Sequence, residues 1–290
     1  MSRRELAKHQ RFEQVSPEVG EIDEEALDDL MQADPDEALA MLADLVGATD
    51  ERLRALARQL AGRLFLDLAR SGGLVRRGAG RLVELPYQPD AGDLDVDRSL
   101  DVILEAVAGK HLVDVSGLRV RGWAKRTTAL CLLIDRSGSM GGKPLATAAL
   151  AAAAVACREP DDYSVVAFGK DMVIAKSQRS DKPSARVVTD VLSLRGFGTT
   201  DVAGALQIGA LQLSRSAAKR KVTILLSDCR STVDGDPLAA ARAIDELVII
   251  APESDDVEAR AFAASSGARI ATVDGPSQIA AAIASVLQTG

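Results

Sequence analysis

The chain has 290 residues, 47% of them hydrophobic, 27% charged and 3% aromatic, the composition of a soluble globular protein large enough for one large domain or two smaller ones. The net charge of −7 is unevenly spread: residues 1–50 hold 4 basic and 14 acidic side chains, so that end carries −10 and the remainder +3. A nucleic-acid-binding surface is thereby excluded for the N-terminal end, whose acidity fits either a partner-binding device or a solvated helical face.

In chain order, the first third reads as helix. Ser16-Pro17-Glu18 and Asp34-Pro35-Asp36-Glu37 each place a capping side chain before a proline suited to a first helical turn, with carboxylates where the helix dipole favours them. Leu53, Leu56, Leu60, Leu64 and Leu68 recur every three or four positions and predict one buried helical stripe, which stops at Ser71-Gly72-Gly73. Residues 74–92 read as an irregular connection, Ser99 to Ala108 as a short helix and 111–123 as a linker. Residues 1–110 are thus expected to form a helical region and 124–290 a second domain.

From Thr127 the pattern changes. Thr127–Ile134 is a continuous apolar run, as in a strand buried on both faces of a parallel sheet. An alanine-rich helix follows from Pro144 to Cys157. Further apolar runs at Tyr163–Phe168, Met172–Ala175, Val222–Leu226, Leu247–Ala251 and Ile270–Val273 are interleaved with helical stretches at Ala185–Leu194, Asp201–Ser214, Pro237–Glu246, Asp255–Ser266 and Ser277–Leu287. This alternation predicts a doubly wound, mostly parallel α/β sheet with helices on both faces. The close pair 163–168 and 172–175 predicts a hairpin with one antiparallel edge strand.

Ligands of an open α/β sheet gather at the carboxyl ends of the strands, where the strand order reverses. The first strand ends there in Asp135-Arg136-Ser137-Gly138-Ser139, a carboxylate followed at alternate positions by two hydroxyls. Gly198-Thr199-Thr200-Asp201 and Ser227-Asp228 supply matching oxygens at the same edge. Such hard donors suit a small divalent cation, Mg²⁺ first and Mn²⁺ next.

These three motifs resemble the metal-ion-dependent adhesion site of von Willebrand factor A (VWA) domains, over roughly Trp123 to Gly290. The resemblance implies that Asp135, Ser137, Ser139, Thr200 and Asp228 hold the metal, directly or through water. Asp201 would lie in an outer shell, and Arg136 either favours an anionic guest or faces solvent. Cys229 departs from the pattern, standing where the family often has glycine. Asp93-Leu94-Asp95 with Ser99-Leu100 resembles a segment preceding the A domain in bacterial proteins of the carbon-monoxide-dehydrogenase-accessory type. Intracellular proteins of this build work with MoxR-type AAA+ ATPases as adaptors in maturation of, or metal insertion into, a client enzyme. The implied activity is Mg²⁺-dependent binding of a protein that offers a Glu or Asp carboxylate to the metal.

Other chemistries fit less well. Around Ser137–Pro144, Ser137 stands where a phosphate loop needs glycine and Pro144 where it needs Ser or Thr. The two histidines, His9 and His111, lie outside the α/β portion, so a serine nucleophile there lacks a base. Asp93, Asp95 and Asp97 alternate like a calcium loop, but Arg98 and Leu104 occupy positions that need Gly and Glu. Metal-assisted phosphoester hydrolysis remains the enzyme alternative, and a scaffold with a vestigial metal site the other. Cys131, Cys157 and Cys229 are far apart and argue against a disulfide framework. With no leader visible and no apolar run long enough for a bilayer, the expected location is the cytoplasm, without membrane insertion.

Overall fold

A computed structural model describes residues 1–72, 81–87, 93–110, 112–124, 128–136, 141–196 and 198–288. The chain opens with α1 (Arg3–Leu6), α2 (Phe12–Val15), α3 (Glu24–Ala33), α4 (Pro35–Leu45) and α5 (Glu51–Gly72). There follow β1 (Arg81–Pro86), β2 (Asp93–Leu94), α6 (Val96–Gly109) and β3 (Arg119–Ala124). The remainder is β4 (Thr128–Asp135), α7 (Gly142–Arg158), β5 (Tyr163–Phe168), β6 (Val173–Lys176), α8 (Ser184–Leu192), α9 (Val202–Leu213), β7 (Arg220–Leu226), α10 (Pro237–Ala241), β8 (Glu246–Pro252), α11 (Val257–Ser266), β9 (Arg269–Val273) and α12 (Ile279–Gln288). None of the described helices is long and apolar enough to cross a membrane.

The chain divides into two compact units, Met1–Val75 with Thr128–Gly290, and Arg76–Thr127. This differs from the division expected from sequence, which joined 1–110, set 111–123 apart as a linker and began the second domain at 124. In the smaller unit β1, β3 and β2 form an antiparallel sheet with β3 central, Leu85 opposite Val120 and Leu94 opposite the same residue on the other side. Residues 81–86 and 119–124 were expected in connections because each run is short and interrupted by Arg, Glu or Gly; they become strands by pairing with each other across more than thirty residues. Asp95 caps α6 through the Arg98 N–H, and its second oxygen accepts from Arg121 Nε at 2.8 Å. The alternating aspartates at 93–97 thus include a helix cap in an ion pair.

The larger unit is the doubly wound α/β fold. Its sheet order is β6-β5-β4-β7-β8-β9, parallel except for β6, which pairs antiparallel with β5 at the edge. Both faces of β4 are buried. Leu130, Leu132 and Ile134 point into a core shared with α4, α5, α7, α8 and α12, while Ala129, Cys131 and Leu133 point into a second core shared with α9, α10 and α11.

On the first face α7 is buried over nearly its whole circumference, from Leu145 to Ala156 with only Thr147 partly exposed. A helix apolar all round requires a second covering layer, and α4 and α5 supply it. The fully buried row of α5 is Leu53, Ala57, Ala61, Phe65 and Ala69; of the expected leucine stripe, Leu60, Leu64 and Leu68 pack only partly, on its shoulder. Small residues at 57, 61 and 69 let α5 lie close against the alanines of α7. Ser16-Pro17 does not begin a helix. Arg3 donates to the Ser16 carbonyl at 2.6 Å and holds it in a turn, and Asp23 caps α3 instead.

The acidity of the N-terminal end is partly consumed here. Asp34 caps its own helix α4. From α4, Asp36 accepts the Ser277 N–H at 2.8 Å, so closely packed that a side chain at Gly275 would strike it. Asp44, itself buried, accepts the Gly142 N–H at 2.7 Å at the first residue of α7. His9 lies between Glu37, at 2.8 Å from Nδ1, and Asp44, at 3.1 Å from Nε2. Hydrogen bonding to Asp44, and then to Glu37, raises the His9 pKa above its ordinary 6.5 despite partial burial.

A raised folded-state pKa stabilises the fold fully below the unfolded value and loses that contribution as pH rises through the folded value. Urea midpoints should therefore fall as pH is raised from about 6 toward 8, and His9→Gln should flatten that dependence. Ala152→Leu, which forces three extra carbons between α7 and its neighbours, should cost about 1–3 kcal/mol in the same measurement.

Candidate metal site at the strand ends

The topology explains why functional groups collect beyond β4. From β4 the chain winds through α7 to β5 on one side and returns to β7 on the other, so the crevice at the reversal opens at the carboxyl end of β4. Asp135 is the last residue of β4, paired with Phe168 of β5, and Ile134 is paired with Leu226 of β7. Ser227 consequently stands beside Asp135 and donates its hydroxyl to Asp135 Oδ2 at 2.6 Å. The same Ser227 oxygen accepts the Cys229 N–H at 2.9 Å, tightening the turn.

Asp228 follows on that turn and accepts the Arg230 N–H at 2.9 Å through Oδ1. Burial, and the nearby carboxylates of Asp135 and Asp255, hold the Asp228 carboxyl above the usual range against the lowering effect of the Arg230 N–H and charge. The Arg230 side chain itself pairs with Asp255 and reaches Glu258 at 3.4 Å.

The third loop is stitched to the second. Thr200, 2% exposed, donates its N–H to Thr232 Oγ1 at 2.7 Å, and its carbonyl accepts from the Thr232 N–H at 3.0 Å and the Ser231 hydroxyl at 3.3 Å. None of these bonds uses the Thr200 hydroxyl. Asp201 caps α9 by accepting the Gly204 N–H at 2.8 Å through Oδ1.

Arg136 does not face solvent. It is buried, and its guanidinium donates to the carbonyls of Asp171 at 3.1 Å and Arg195 at 3.2 Å. Its N–H also donates to the Phe168 carbonyl at 2.8 Å, so the residue ties the end of β4 to its neighbours. Ser137 and Ser139 lie outside the described residues. Among the described residues no group of three or more His, Cys, Asp or Glu is placed to hold a metal. The acidic donors brought together are Asp135 and Asp228, with Thr200 on the loop stitched to 231–232.

Cys229 resolves the departure noted in the sequence. Its φ of +65° is the left-handed backbone that glycine adopts freely, so the loop takes a glycine-like course with a cysteine in it. Burial first, then Asp228 and Asp135, push its thiol up to about 12, so without a bound cation it stays protonated at neutral pH. Ser227, named in the sequence among the oxygens at this edge, serves as a hydrogen-bond partner of Asp135, its position one residue beyond β7 placing it opposite the end of β4. Ser231 and Thr232 had no signal, because a hydroxyl in a loop is ordinary.

Residues 130–230 match the von Willebrand factor type A domain. The type A segment covers the first strand, the crevice and the loop after β7. Over 109 residues the chain is 30% identical to an uncharacterized protein of Synechocystis sp., a stretch that is 37% of this chain and 26% of that relative. Solved structures similar to it include BatB from Bacteroides thetaiotaomicron, at 16% identity and TM-score 0.45 over 56% of this chain and 98% of that one. A von Willebrand factor type A protein from Catenulispora acidiphila aligns at 18% identity and TM-score 0.42 over 56% and 42%. The manganese-loaded TRAP protein of Plasmodium vivax aligns at 18% and 0.42 over 54% and 72%.

The left-handed residue of the type A segment gives a sharp test. Cys229→Val puts a β-branched side chain where φ is positive and should cost about 2 kcal/mol in urea unfolding. Cys229→Gly should stay within about 1 kcal/mol of wild type, because relief of backbone strain offsets the lost packing.

Proposed function

We propose that the crevice beyond β4 binds a divalent cation, Mg²⁺ or Mn²⁺, and through it a carboxylate of a protein partner. The observation that carries this reading is the pair Asp135 and Asp228, drawn from two strand ends into mutual repulsion at the reversal of strand order. Two like charges held together cost stability unless a cation lies between them. The donor chemistry fits a hard cation: two carboxylates, the uncommitted Thr200 hydroxyl, and the hydroxyls of Ser137 and Ser139, which follow Asp135 in sequence. VWA domains are typically protein-interaction modules, and a site of this charge leaves the cation able to accept an acidic guest.

The resemblance noted in the sequence supports an adaptor role for a MoxR-type AAA+ ATPase acting on a client enzyme. Location in the cytoplasm belongs to the same reading. Catalysis is not part of it: among the described residues of the crevice there is no histidine, and Cys229 is held protonated.

Isothermal titration of the purified chain with Mg²⁺ and Mn²⁺ tests the proposal, with thermal unfolding beside it. In EDTA, Asp228→Asn should melt about 1–3 °C above wild type, since the variant loses a carboxylate that burial and Asp135 destabilise when ionised. On adding cation the wild type should gain stability and the variant should not. A wild-type chain that neither binds cation nor gains stability would leave the site vestigial.

A further inference from the structure

A second surface lies away from this crevice. Between α5 and the start of α8 is an open groove of about 550 Å³. Its floor is small and apolar, formed by Gly62, Leu66 and Ala185, and a Cβ placed on Gly62 would only touch that of Ala185 at 3.6 Å. Its walls carry Arg58, Arg63 and Arg70 from α5 and Arg186 from α8.

These arginines are weakly committed. Arg58 makes no hydrogen bond or ion pair among the described residues, and Arg63 meets Glu24 only at 3.7 Å with both side chains about two-thirds exposed. Arg70 and Arg186 pair with carboxylates of their own helices, Asp67 at 3.0 Å and Asp190 at 3.2 Å, and Arg70 also interacts with the Cys157 thiol. Against the four arginines the lining holds one carboxylate, Asp67, so the groove is cationic in a chain whose net charge is −7.

We infer that this groove docks an acidic amphipathic helix of a partner protein. Charge complementarity names the occupant: carboxylates for the arginine walls, and apolar side chains at helical spacing for the floor. Arg58 to Arg70 spans about 18 Å of α5, the length of roughly three helical turns. Nucleic acid is the poorer fit, because the lining has no aromatic side chain on which a base can stack.

The groove is remote from the metal loops. α7 starts at the carboxyl edge of the sheet with Gly142 and runs antiparallel to the strands, and Cys157 near its far end donates its thiol to the Leu66 carbonyl of the groove floor. The inference is therefore independent of the cation site.

Fluorescence anisotropy with the full chain tests it, using a labelled helical peptide of repeating Glu and Leu at amphipathic spacing, its Glu→Gln counterpart, and single-stranded oligo-dT. The Glu peptide should bind, weaken with salt, and bind unchanged in EDTA and to Asp135→Asn. The Gln peptide should bind at least about tenfold more weakly, as should the Glu peptide to the double variant Arg58→Glu/Arg186→Glu. Both substitutions are on exposed side chains, and circular dichroism of the variant should match wild type. No binding of the Glu peptide, equal binding of the Gln peptide, undiminished binding to the double variant, or tighter binding of oligo-dT would each overturn the inference.

Discussion

Burial of α7 on all sides is the constraint from which the larger unit follows. Twelve residues from Leu145 to Ala156 contain one polar side chain, and the sheet can cover only one side of such a helix. The opposite side must find another apolar surface, and α4, buried from Ala38 to Leu45, together with the small-residue row of α5, provides it. The alanines set the spacing. Because they project so little, both neighbouring layers approach closely and leave no room for larger side chains. The helices before residue 73 are therefore part of the same body as the sheet.

The residues flanking positions 137–140 in sequence are each held by hydrogen bonds. On one end Asp135 is held by the Ser227 hydroxyl, and Arg136 is bound to three carbonyls on neighbouring segments. On the other, Gly142 is held by Asp44 across nearly a hundred residues of sequence. A carboxylate at the first amide of a helix satisfies an otherwise unpaired donor and complements the dipole there. With His9 on its other oxygen, Asp44 is a buried charge with a partner on each side, which is the condition for keeping it.

The fold class was legible because β4, β7 and β8 are apolar on both faces and alternate with helices, a pattern only a covered parallel sheet satisfies. The antiparallel edge followed from the short gap between Phe168 and Met172, too small for a crossover. The crevice residues were legible for the same reason: Asp135 and Asp228 stand at the ends of buried strands, and Thr200 just before the buried helix α9. Arg136 was not, since its neighbours in sequence say nothing of the carbonyls of Asp171 and Arg195 that it meets in space. The smaller sheet was missed because its strands have no continuous apolar run, and the role of the acidic helix α4 was not legible because its Asp44 and Asp36 act on residues 98 and 241 positions away.

A rigid α7 also decides how two surfaces at its ends can cooperate. Its 17 residues set them about 25 Å apart, and coupling over such a distance needs an element with two arrangements of comparable energy. A helix close-packed on every side, with Asp44 at one end and Leu66 at the other, has no room to slide or rotate. Occupants of the crevice and the groove would therefore bind independently, each at its own affinity. A partner with both an exposed carboxylate for the cation and an acidic helix for the groove would gain through effective concentration, with no change of shape required of the chain. Such an arrangement suits a chain that holds two things in fixed relation, and it places the specificity in the distance between the two ends of one helix.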